Sequence, residues 1–247
     1  MDNQIKVTWG LVTYNRQHQF ARSFRENIAR ADHPIEQIIW FDNGSEPPIY
    51  NCELTLGLLG RSKRLVIHST ENVGIAKALN ACILHSTGTH LALTGPDTVM
   101  PGSWLKSFCQ YFKELPNLMA AAFYHVPFKD VPERIFSGLL KTPSGLPYAE
   151  ALSMSFTMWD KRLLKKAGFL REEFGLYGWD DVEYAYRIKR VCEENGWLSI
   201  AIPELVYHME ETDEKYISFK TEQAQDIDKR ILMQQLAKEN YPYYSPY

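Results

Sequence analysis

The first half of this chain alternates short apolar runs with amphipathic stretches, and this rhythm limits the folds that the chain can adopt. Residues 5–13 form a mostly apolar run, which predicts a strand buried on both faces of a sheet. Residues 17–30 follow with an apolar face at helical spacing, made by Phe20, Ala21, Phe24 and Ile28. Repetition of this pair predicts an α/β fold, with a mostly parallel sheet flanked by helices.

The same reasoning places further elements along the chain. Strands are predicted at residues 38–41, 65–68 and 90–93, and helices at 75–84 and 103–115, the last with Pro101 in its first turn. The second half is less regular, with predicted strands at 118–126, 154–159, 197–202 and 205–208, a short helix ending at Ala167, and helices from Asp180 and over 216–239. A proline-rich stretch at 127–147 is predicted to be an extended loop.

Length and composition describe an ordinary globular protein. With 247 residues, 45% of them apolar, and no visible linker, the chain is predicted to form one domain over 1–247. Within this domain, residues 1–115, 116–210 and 211–247 differ in their pattern of predicted strands and helices. A net charge of −3 does not favour a nucleic acid partner. The four cysteines form no CxxC pair, which argues against a zinc site or a disulfide scaffold and suits a reducing cytosol.

The chain shows no membrane-spanning or targeting pattern. No run approaches the roughly 18 apolar residues of a transmembrane helix, and the start lacks the features of a signal peptide. These features predict a cytoplasmic protein. A basic run at 161–166 is interpreted as a solvated helix face rather than as a contact with an anionic membrane surface, although peripheral contact at the inner face of a membrane stays open.

Two adjacent carboxylates, Asp180 and Asp181, open a predicted helix after a loop that contains Gly175, Gly178 and Trp179. Acidic side chains at a helix start are stabilised by free N–H groups and by the helix dipole, so one of them could be a simple cap. A pair in a glycine-rich aromatic loop also suits a general base that faces a ligand. The residues alone leave both interpretations open.

Four polar clusters follow successive predicted strands. They are Thr13-Tyr14-Asn15-Arg16, Asp42-Asn43-Gly44-Ser45, Asn72-Val73-Gly74 and Thr94-Gly95-Pro96-Asp97. Each cluster by itself is explained by turn chemistry. Together they predict one ligand crevice, because ligands of open α/β sheets bind at the carboxyl ends of the strands.

Residue type suggests roles within this crevice. The Asp42 carboxylate can accept a hydrogen bond from an imide N–H of a nucleobase. Asn72 and Gly74 at a helix start allow close approach of a ligand to the backbone, and Lys77 lies one turn later, where it could reach a phosphate.

A divalent cation is the second predicted ligand. Asp97 can hold a hard cation through oxygen, and His208, at the end of a predicted strand, is a candidate second ligand. A single histidine is as readily structural or merely exposed. The chain has no GxGxxG after its first strand, no GxxxxGK[ST] and no GxSxG, so it signals no dinucleotide fold, P-loop or α/β-hydrolase.

In this order, the motifs resemble those of the family-2 glycosyltransferases of GT-A fold, in particular the rhamnosyltransferase-like branch. The similar segments are TYNR at 13–16, FDNGS at 41–45, NVGIAKALNACI at 72–83, TGPDTVMPGSWL at 94–105, KAGFLREEFGLYGWDDVEYAYR at 166–187 and LVYH at 205–208. The resemblance covers roughly residues 5–210.

This resemblance implies a Rossmann-like GT-A enzyme that moves a sugar, with inversion, from a nucleotide-sugar, UDP-sugar favoured, to a hydroxyl of a saccharide, lipid-linked saccharide or protein. Residues 1–115 would bind the donor and 116–210 the acceptor, with 211–247 as C-terminal helix and tail. Asp181 matches the base and is catalytic together with Asp180, and Asp180 and Trp179 would contact the acceptor. Asp97, with His208, would hold Mn²⁺ or Mg²⁺. The implied nucleotide-sugar-binding residues are Thr13, Tyr14, Asn15, Arg16, Asp42, Asn43, Asn72, Gly74, Lys77, Thr94, Pro96 and Asp97.

Two departures from the family pattern keep alternatives open. Gly95 and Pro96 leave one acid, Asp97, where the usual metal motif has two, and Asp180 stands where the family often has Glu. A non-catalytic module that binds a nucleotide-sugar or glycan is therefore an alternative. A sugar nucleotidyltransferase is a second one, although that chemistry favours a glycine-rich phosphate loop after the first strand.

Overall fold

A computed structural model describes residues 4–49, 62–124, 139–150, 156–209 and 213–236. Most of the predicted loop at 127–147, the start of the predicted strand at 154–159, Cys52 and the end of the predicted helix at 216–239 lie outside these ranges.

The described residues form eleven strands and seven α-helices. The strands are β1 Val7–Thr13, β2 Ile35–Asp42, β3 Lys63–His68, β4 His90–Thr94, β5 Thr98–Val99, β6 Leu118–Tyr124, β7 Leu140–Lys141, β8 Pro147–Glu150, β9 Thr157–Asp160, β10 Leu198–Leu205 and β11 Tyr207–His208. The helices are α1 Gln17–Ala29, α2 Ile75–His85, α3 Trp104–Glu114, α4 Lys161–Ala167, α5 Asp180–Asn195, α6 Glu214–Gln225 and α7 Ile227–Leu236.

Nine of these strands build one mixed sheet in the order β3-β2-β1-β4-β9-β6-β10-β8-β7. The β3-β2-β1-β4 half is parallel, as is the β6-β10 pair, whereas β9 runs antiparallel to both of its neighbours, β4 and β6. The prediction of an α/β fold with a mostly parallel sheet flanked by helices is confirmed.

Each central strand contributes to an apolar core on both faces of the sheet. Along β1, Trp9 and Leu11 join the core under α1 and α3, whereas Val12 joins the core under α2, α4 and α5. On β2, Trp40 joins the core under α1 and α3, and Phe41 joins the core under α2, α4 and α5. Because side chains alternate along a strand, a run that is apolar at every position is buried on both sides.

Several predicted boundaries are corrected by the structure. Pro101 precedes α3 rather than starting it, because Ser103 in a left-handed conformation stands before the first helical residue, Trp104. The predicted helix over 216–239 is two helices that meet at Asp226, which has extended backbone. Two predicted strands at 197–202 and 205–208 are a continuous β10 that passes through Pro203, followed by the separate β11.

Two short strands lie where a loop was predicted. β7 and β8 pair with each other, and β8 adds to the sheet beside β10. Among the described residues, no helix is long and apolar enough to cross a membrane.

Candidate functional site

The carboxyl ends of β1, β2 and β4 meet at one edge of the sheet. Thr13 pairs with Asp42, the last residue of β2, and the Asn43 amide donates to the Thr13 carbonyl at 2.7 Å. Thr94, the last residue of β4, accepts a hydrogen bond at 3.0 Å from the indole of Trp9 on β1. Register therefore brings three of the four predicted clusters to one edge of the sheet, where the ligand crevice is predicted.

Asp42 is buried and anchors the turn that follows β2. Its carboxylate accepts hydrogen bonds from the Ser45 hydroxyl and from the Ile49 amide, the latter at 3.0 Å. His68 Nδ1 lies 3.1 Å from its second oxygen. The structure thus uses Asp42 to fix the crevice wall, and its reading of a nucleobase stays a prediction.

Asparagine side chains join the second and third clusters. Asn43 Nδ2 donates to Asn72 Oδ1 at 2.9 Å, and Asn43 Oδ1 accepts from the Val73 amide at 2.9 Å. Gly74 has φ +91°, and a Cβ there would lie 2.5 Å from the carbonyl oxygen of Gly175. The start of α2 therefore touches the loop that carries the carboxylate pair.

Lys77 lies on the exposed side of α2. It lines a mostly apolar cavity of about 320 Å³ at the β3 edge, together with Phe41, Ile67, His68, Ser69, Val73, Asn80, Ala81, Leu84 and Phe169. Its reach to a phosphate stays a prediction.

Asn15 and Arg16 form an unusual turn between β1 and α1. Both have left-handed backbone, with φ of +53° and +65°. The Asn15 amide donates to the Ser45 hydroxyl at 2.7 Å, and Asn15 Oδ1 accepts from the Glu46 amide at 2.9 Å. Tyr14 beside them is exposed at 36%. This turn directs the Arg16 side chain towards the end of β4.

Asp97 lies in the turn after β4, and a short strand pair brings His208 to it. β11 pairs with β5, so His208 stands opposite Thr98, and its Nε2 lies 3.4 Å from Asp97 Oδ2. The two predicted metal ligands are thus neighbours. The same Oδ2 accepts a hydrogen bond from the Arg16 guanidinium.

This donor set does not fit a divalent cation as it is arranged. Substrate phosphates and water can supply several of the six or more ligands of a hard cation, but one or two protein carboxylates must be free to bind it. No group of three or more His, Cys, Asp or Glu side chains suitable for a metal occurs in the described part of the chain. Half-buried Gly95 and Pro96 add no side-chain donor, and a guanidinium already occupies the Asp97 oxygen that faces His208.

Asp180 and Asp181 are the first two residues of α5, as predicted, but the two carboxylates differ from each other in burial. Asp180 is 4% exposed, and burial, followed by the charge of Asp181, raises its pKa to about 7. Asp181 is exposed to solvent on one side although protein surrounds it on the others, and this desolvation raises its pKa. Asp181 is therefore the carboxylate that a ligand can reach.

Trp179 precedes this pair in a left-handed conformation, with φ +70°. The side chain packs with Val182 and Leu232 against a small apolar cluster of Phe174, which precedes α5, and Met233 and Leu236 of α7. Its indole Nε1 is buried and has no hydrogen-bond partner among the described residues. The predicted contact with an acceptor stays a prediction.

Tyr177 links the carboxylate pair to the Asp97 turn. Burial raises the pKa of its hydroxyl, and neighbouring Tyr216, Asp181, Asp180 and Asp97 raise it further. The electrostatic fields of all four groups therefore act on one phenol. Sequence reasoning did not single out Tyr216, which lies in a polar helix with no motif around it.

Helices α6 and α7 add cations to this region. Lys220 Nζ lies 5.4 Å from the Tyr177 ring centre and 4.8 Å from that of Tyr216. Lys229 Nζ donates to the Tyr177 carbonyl at 3.0 Å. The C-terminal helices therefore pack against the loop that carries the predicted base.

A buried ion pair holds α5 in place. Arg187 donates to Glu183, and also to the carbonyls of Ala167 and Phe169 at 2.9 and 2.5 Å. The Tyr184 hydroxyl donates to the Gly168 carbonyl at 2.7 Å. These bonds fix the helix that presents Asp180 and Asp181, and sequence reasoning assigned them no role.

Residues 8–167 match the model of a family described as glycosyl transferase family 2. A search of curated proteins finds no match.

Solved structures share the fold at low sequence identity. The mannosyltransferase PcManGT from Pyrobaculum calidifontis, in complex with GDP-Man and Mn²⁺, is 18% identical with a TM-score of 0.66 over 98% of this chain and 67% of that chain. GalNAc-T7 with UDP, GalNAc and Mn²⁺ is 13% identical, with a TM-score of 0.65 over 86% of this chain and 45% of that chain. S. aureus TarS 1–349 in complex with UDP-GlcNAc is 15% identical, with a TM-score of 0.62 over 87% of this chain and 61% of that chain.

These neighbours carry the same layered sheet, and the chain spans between 45% and 67% of their lengths. The matched region runs from β1 through α4 and includes the crevice turns after β1, β2 and β4. Since this region is more than half of the sequence, the chain belongs to glycosyl transferase family 2.

Proposed function

We propose that this protein transfers a sugar from a nucleotide-sugar to an acceptor hydroxyl with inversion at the anomeric carbon. The observation that carries the proposal is a chain of ring contacts that joins two sites: Arg16 lies over the Tyr216 ring, and Lys220 lies over the rings of both Tyr216 and Tyr177. On one side are Asp180 and Asp181 at the start of α5, and on the other are Asp97 and Arg16 at the ends of β4 and β1. Family membership and neighbours bound to UDP-GlcNAc and GDP-Man support the same reaction class.

The proposed chemistry is a single displacement. The Asp181 carboxylate takes the proton of the acceptor hydroxyl while the acceptor oxygen forms a bond to the anomeric carbon. The bond from that carbon to the donor's diphosphate oxygen breaks, and its electron pair stays on the diphosphate. Attack opposite the leaving group inverts the anomeric centre.

Asp180 has a different proposed role. A carboxyl group that keeps its proton near neutral pH can donate a hydrogen bond, which suits the holding of an acceptor rather than the removal of its proton. The unpartnered indole of Trp179, next to it, provides a second donor. Because Asp180 is 4% exposed and the Trp179 Nε1 is buried, either contact with an acceptor requires the start of α5 to open when the acceptor binds.

The crevice walls formed by residues 13–16, 42–45, 72–74 and 94–97 are the proposed donor site, with a UDP-sugar as first choice. The acceptor is a hydroxyl of a saccharide, a lipid-linked saccharide or a protein, consistent with polysaccharide biosynthesis in the cytoplasm, at or near the inner face of a membrane. Mn²⁺ is present in two of the neighbours. Because the donor set here does not fit a divalent cation, the mechanism includes no step through a metal.

The test combines donor turnover with one substitution. UDP-, GDP-, dTDP- and CMP-sugars are assayed for release of the nucleotide with mixed saccharide acceptors. Asp181→Asn is expected to lower kcat by about 10²- to 10⁴-fold, the usual contribution of a general base, while donor affinity is retained. Glu193→Gln, an exposed carboxylate near the other end of α5, is the matched control.

Unchanged turnover in Asp181→Asn would show that Asp181 is not the general base. Donor binding without turnover in the native protein would favour the alternative of a non-catalytic nucleotide-sugar-binding module, which the single acid at residues 94–97 motivates. Transfer of a nucleotidyl group would instead identify a sugar nucleotidyltransferase.

A further inference from the structure

Arg16, Asp97 and Tyr216 form a cluster, here called the Arg16 clamp, beside the carboxyl ends of β1 and β4. The guanidinium donates to Asp97 Oδ2 and lies 3.9 Å from the centre of the Tyr216 ring. The side chains of Arg16 and Asp97 are only 12% and 8% exposed. A carboxylate on one side and an aromatic face on the other therefore set the position of a largely buried cation.

Unfavourable backbone conformations at Asn15 and Arg16 place this cation. A non-glycine residue with positive φ is uncommon, and Asn15 and Arg16 are two in succession. The turn is held by hydrogen bonds of Asn15 to Ser45 and Glu46, and by the Phe20 amide, which donates to the Arg16 carbonyl at 3.0 Å. Strained backbone that the surrounding structure enforces is typical of functional positions.

The positive charge of the Arg16 guanidinium has a form that suits a diphosphate. The guanidinium has a fixed positive charge and a planar set of donors that matches phosphate oxygens. It occupies the Asp97 oxygen that a divalent cation would share with His208, and the preceding Gly95 and Pro96 provide no second acid. The position where the family motif implies a metal therefore holds a cationic side chain.

We propose that Arg16 supplies the positive charge that stabilises the departing nucleoside diphosphate, in place of a divalent cation. The inference rests on the proposed function. As the bond between the anomeric carbon and the diphosphate oxygen breaks, the electron pair moves to that oxygen and the acceptor's proton moves to Asp181. Arg16 donates hydrogen bonds to the diphosphate oxygens as their charge grows.

Asp97 and Tyr216 are then positioning residues, because they act on the donor through Arg16. Lys220 Nζ, 4.8 Å from the Tyr216 ring centre, lies beside the clamp and adds positive charge from α6. This arrangement gives the C-terminal helices a part in donor binding that the motif-bearing region, which ends before α6, does not provide on its own.

Calorimetric titration of the whole chain with UDP, GDP, dTDP and CDP tests the proposal. Each nucleotide is titrated in excess EDTA and again with Mn²⁺, and the matching nucleosides are titrated in parallel. For the nucleotide that binds, the Kd in EDTA is expected to lie within about threefold of its value with Mn²⁺. This comparison needs no variant, so it holds even if a substitution impairs folding.

Variants then localise the charge. Arg16→Ala is expected to weaken binding of the nucleoside diphosphate by about 10- to 100-fold and binding of the nucleoside by less than about threefold. Arg22→Ala is the matched control, since Arg22 lies on the same helix, is exposed and pairs with Glu26. It is expected to leave both affinities unchanged.

The outcomes separate this inference from the proposed function. Loss of diphosphate binding in EDTA and its return with Mn²⁺ would overturn the inference and leave the donor site standing. Equal weakening of nucleoside and diphosphate in Arg16→Ala would also overturn it. Failure of all four nucleotides to bind, with and without Mn²⁺, would overturn the proposed function and the inference together.

Discussion

At the scale of single residues, Asp180 makes the stability of the fold depend on pH. Burial and the charge of Asp181 raise its pKa to about 7. In the unfolded chain it ionises near pH 4, so between about pH 4 and 7 the folded state binds more protons than the unfolded state. The protonated group therefore gives its full stabilisation below about pH 4. This stabilisation falls progressively as the pH rises to about 7, and the stability no longer changes with this group above that pH.

Asp180→Asn removes this dependence, because the amide does not titrate. Urea denaturation at pH 5 and pH 8 is expected to show that the variant gains about 2 kcal/mol relative to the native protein between the two values. Glu193→Gln, an exposed carboxylate on the same helix, serves as the control. Parallel pH profiles for Asp180→Asn and the native protein would contradict the prediction.

Individual site residues were predictable only where local sequence defines their role. The carboxylates of Asp180 and Asp181 stand out because two acids open a helix after a glycine-rich loop. The contact between Arg16 and Asp97 joins residues 81 positions apart, and the ring of Tyr216 reaches Arg16 from a helix without a motif. Such contacts depend on strand order, which no local pattern specifies.

At the scale of elements, the start of α2 supports the loop of residues 175–179, here called the catalytic loop after the proposed role of Asp181, which follows it. Gly74→Ala would place a methyl group 2.5 Å from the Gly175 carbonyl oxygen and would strain a residue with φ +91°. Because the Ile75 amide also donates to the Leu176 carbonyl at 3.2 Å, displacement of the loop would move Asp181. A loss of kcat of at least about tenfold is expected, with destabilisation of about 1–3 kcal/mol.

Gly102→Ala is the control for this substitution, since nothing lies within 4 Å of the added Cβ there and its φ is not positive. Activity and urea denaturation are measured for both variants. Equal kcat in the two would show that the contact between α2 and the catalytic loop does not position the base.

The elements that periodicity predicts well are those that bury a regular apolar face. β1, α1, β4 and α5 were found close to their predicted positions because each has a continuous or helical apolar pattern. β7 was missed because both of its side chains are exposed, and β8 was missed because only Tyr148 is buried and the strand starts at Pro147, which is a loop signal unless it is the first residue of a strand. The strand conformation of β7 depends on its pairing with β8, and that of β8 on its pairing with β10.

At the scale of the whole molecule, the shared central strands predict a single unfolding transition. β1, β2 and β4 contribute alternate side chains to both apolar cores, so neither core can be lost while the other stays intact. Urea denaturation followed by tryptophan fluorescence and by far-UV circular dichroism is expected to give coincident curves. Two separate transitions would instead support independent folding of residues 1–115 and 116–210.

The place of β9 in the sheet also affects how the chain folds during synthesis. β9 fills the gap between β4 and β6, yet it follows both of them in the sequence. At about 5–20 residues per second, the edge of β4 waits about 3–13 s for the chain from Thr94 to Thr157, and the edge of β6 waits about 2–7 s for the chain from Tyr124 to Thr157, before β9 is made. On the ribosome, the nascent chain thus presents two incomplete strand edges, which are sites for chaperone binding and for mispairing with neighbouring nascent chains.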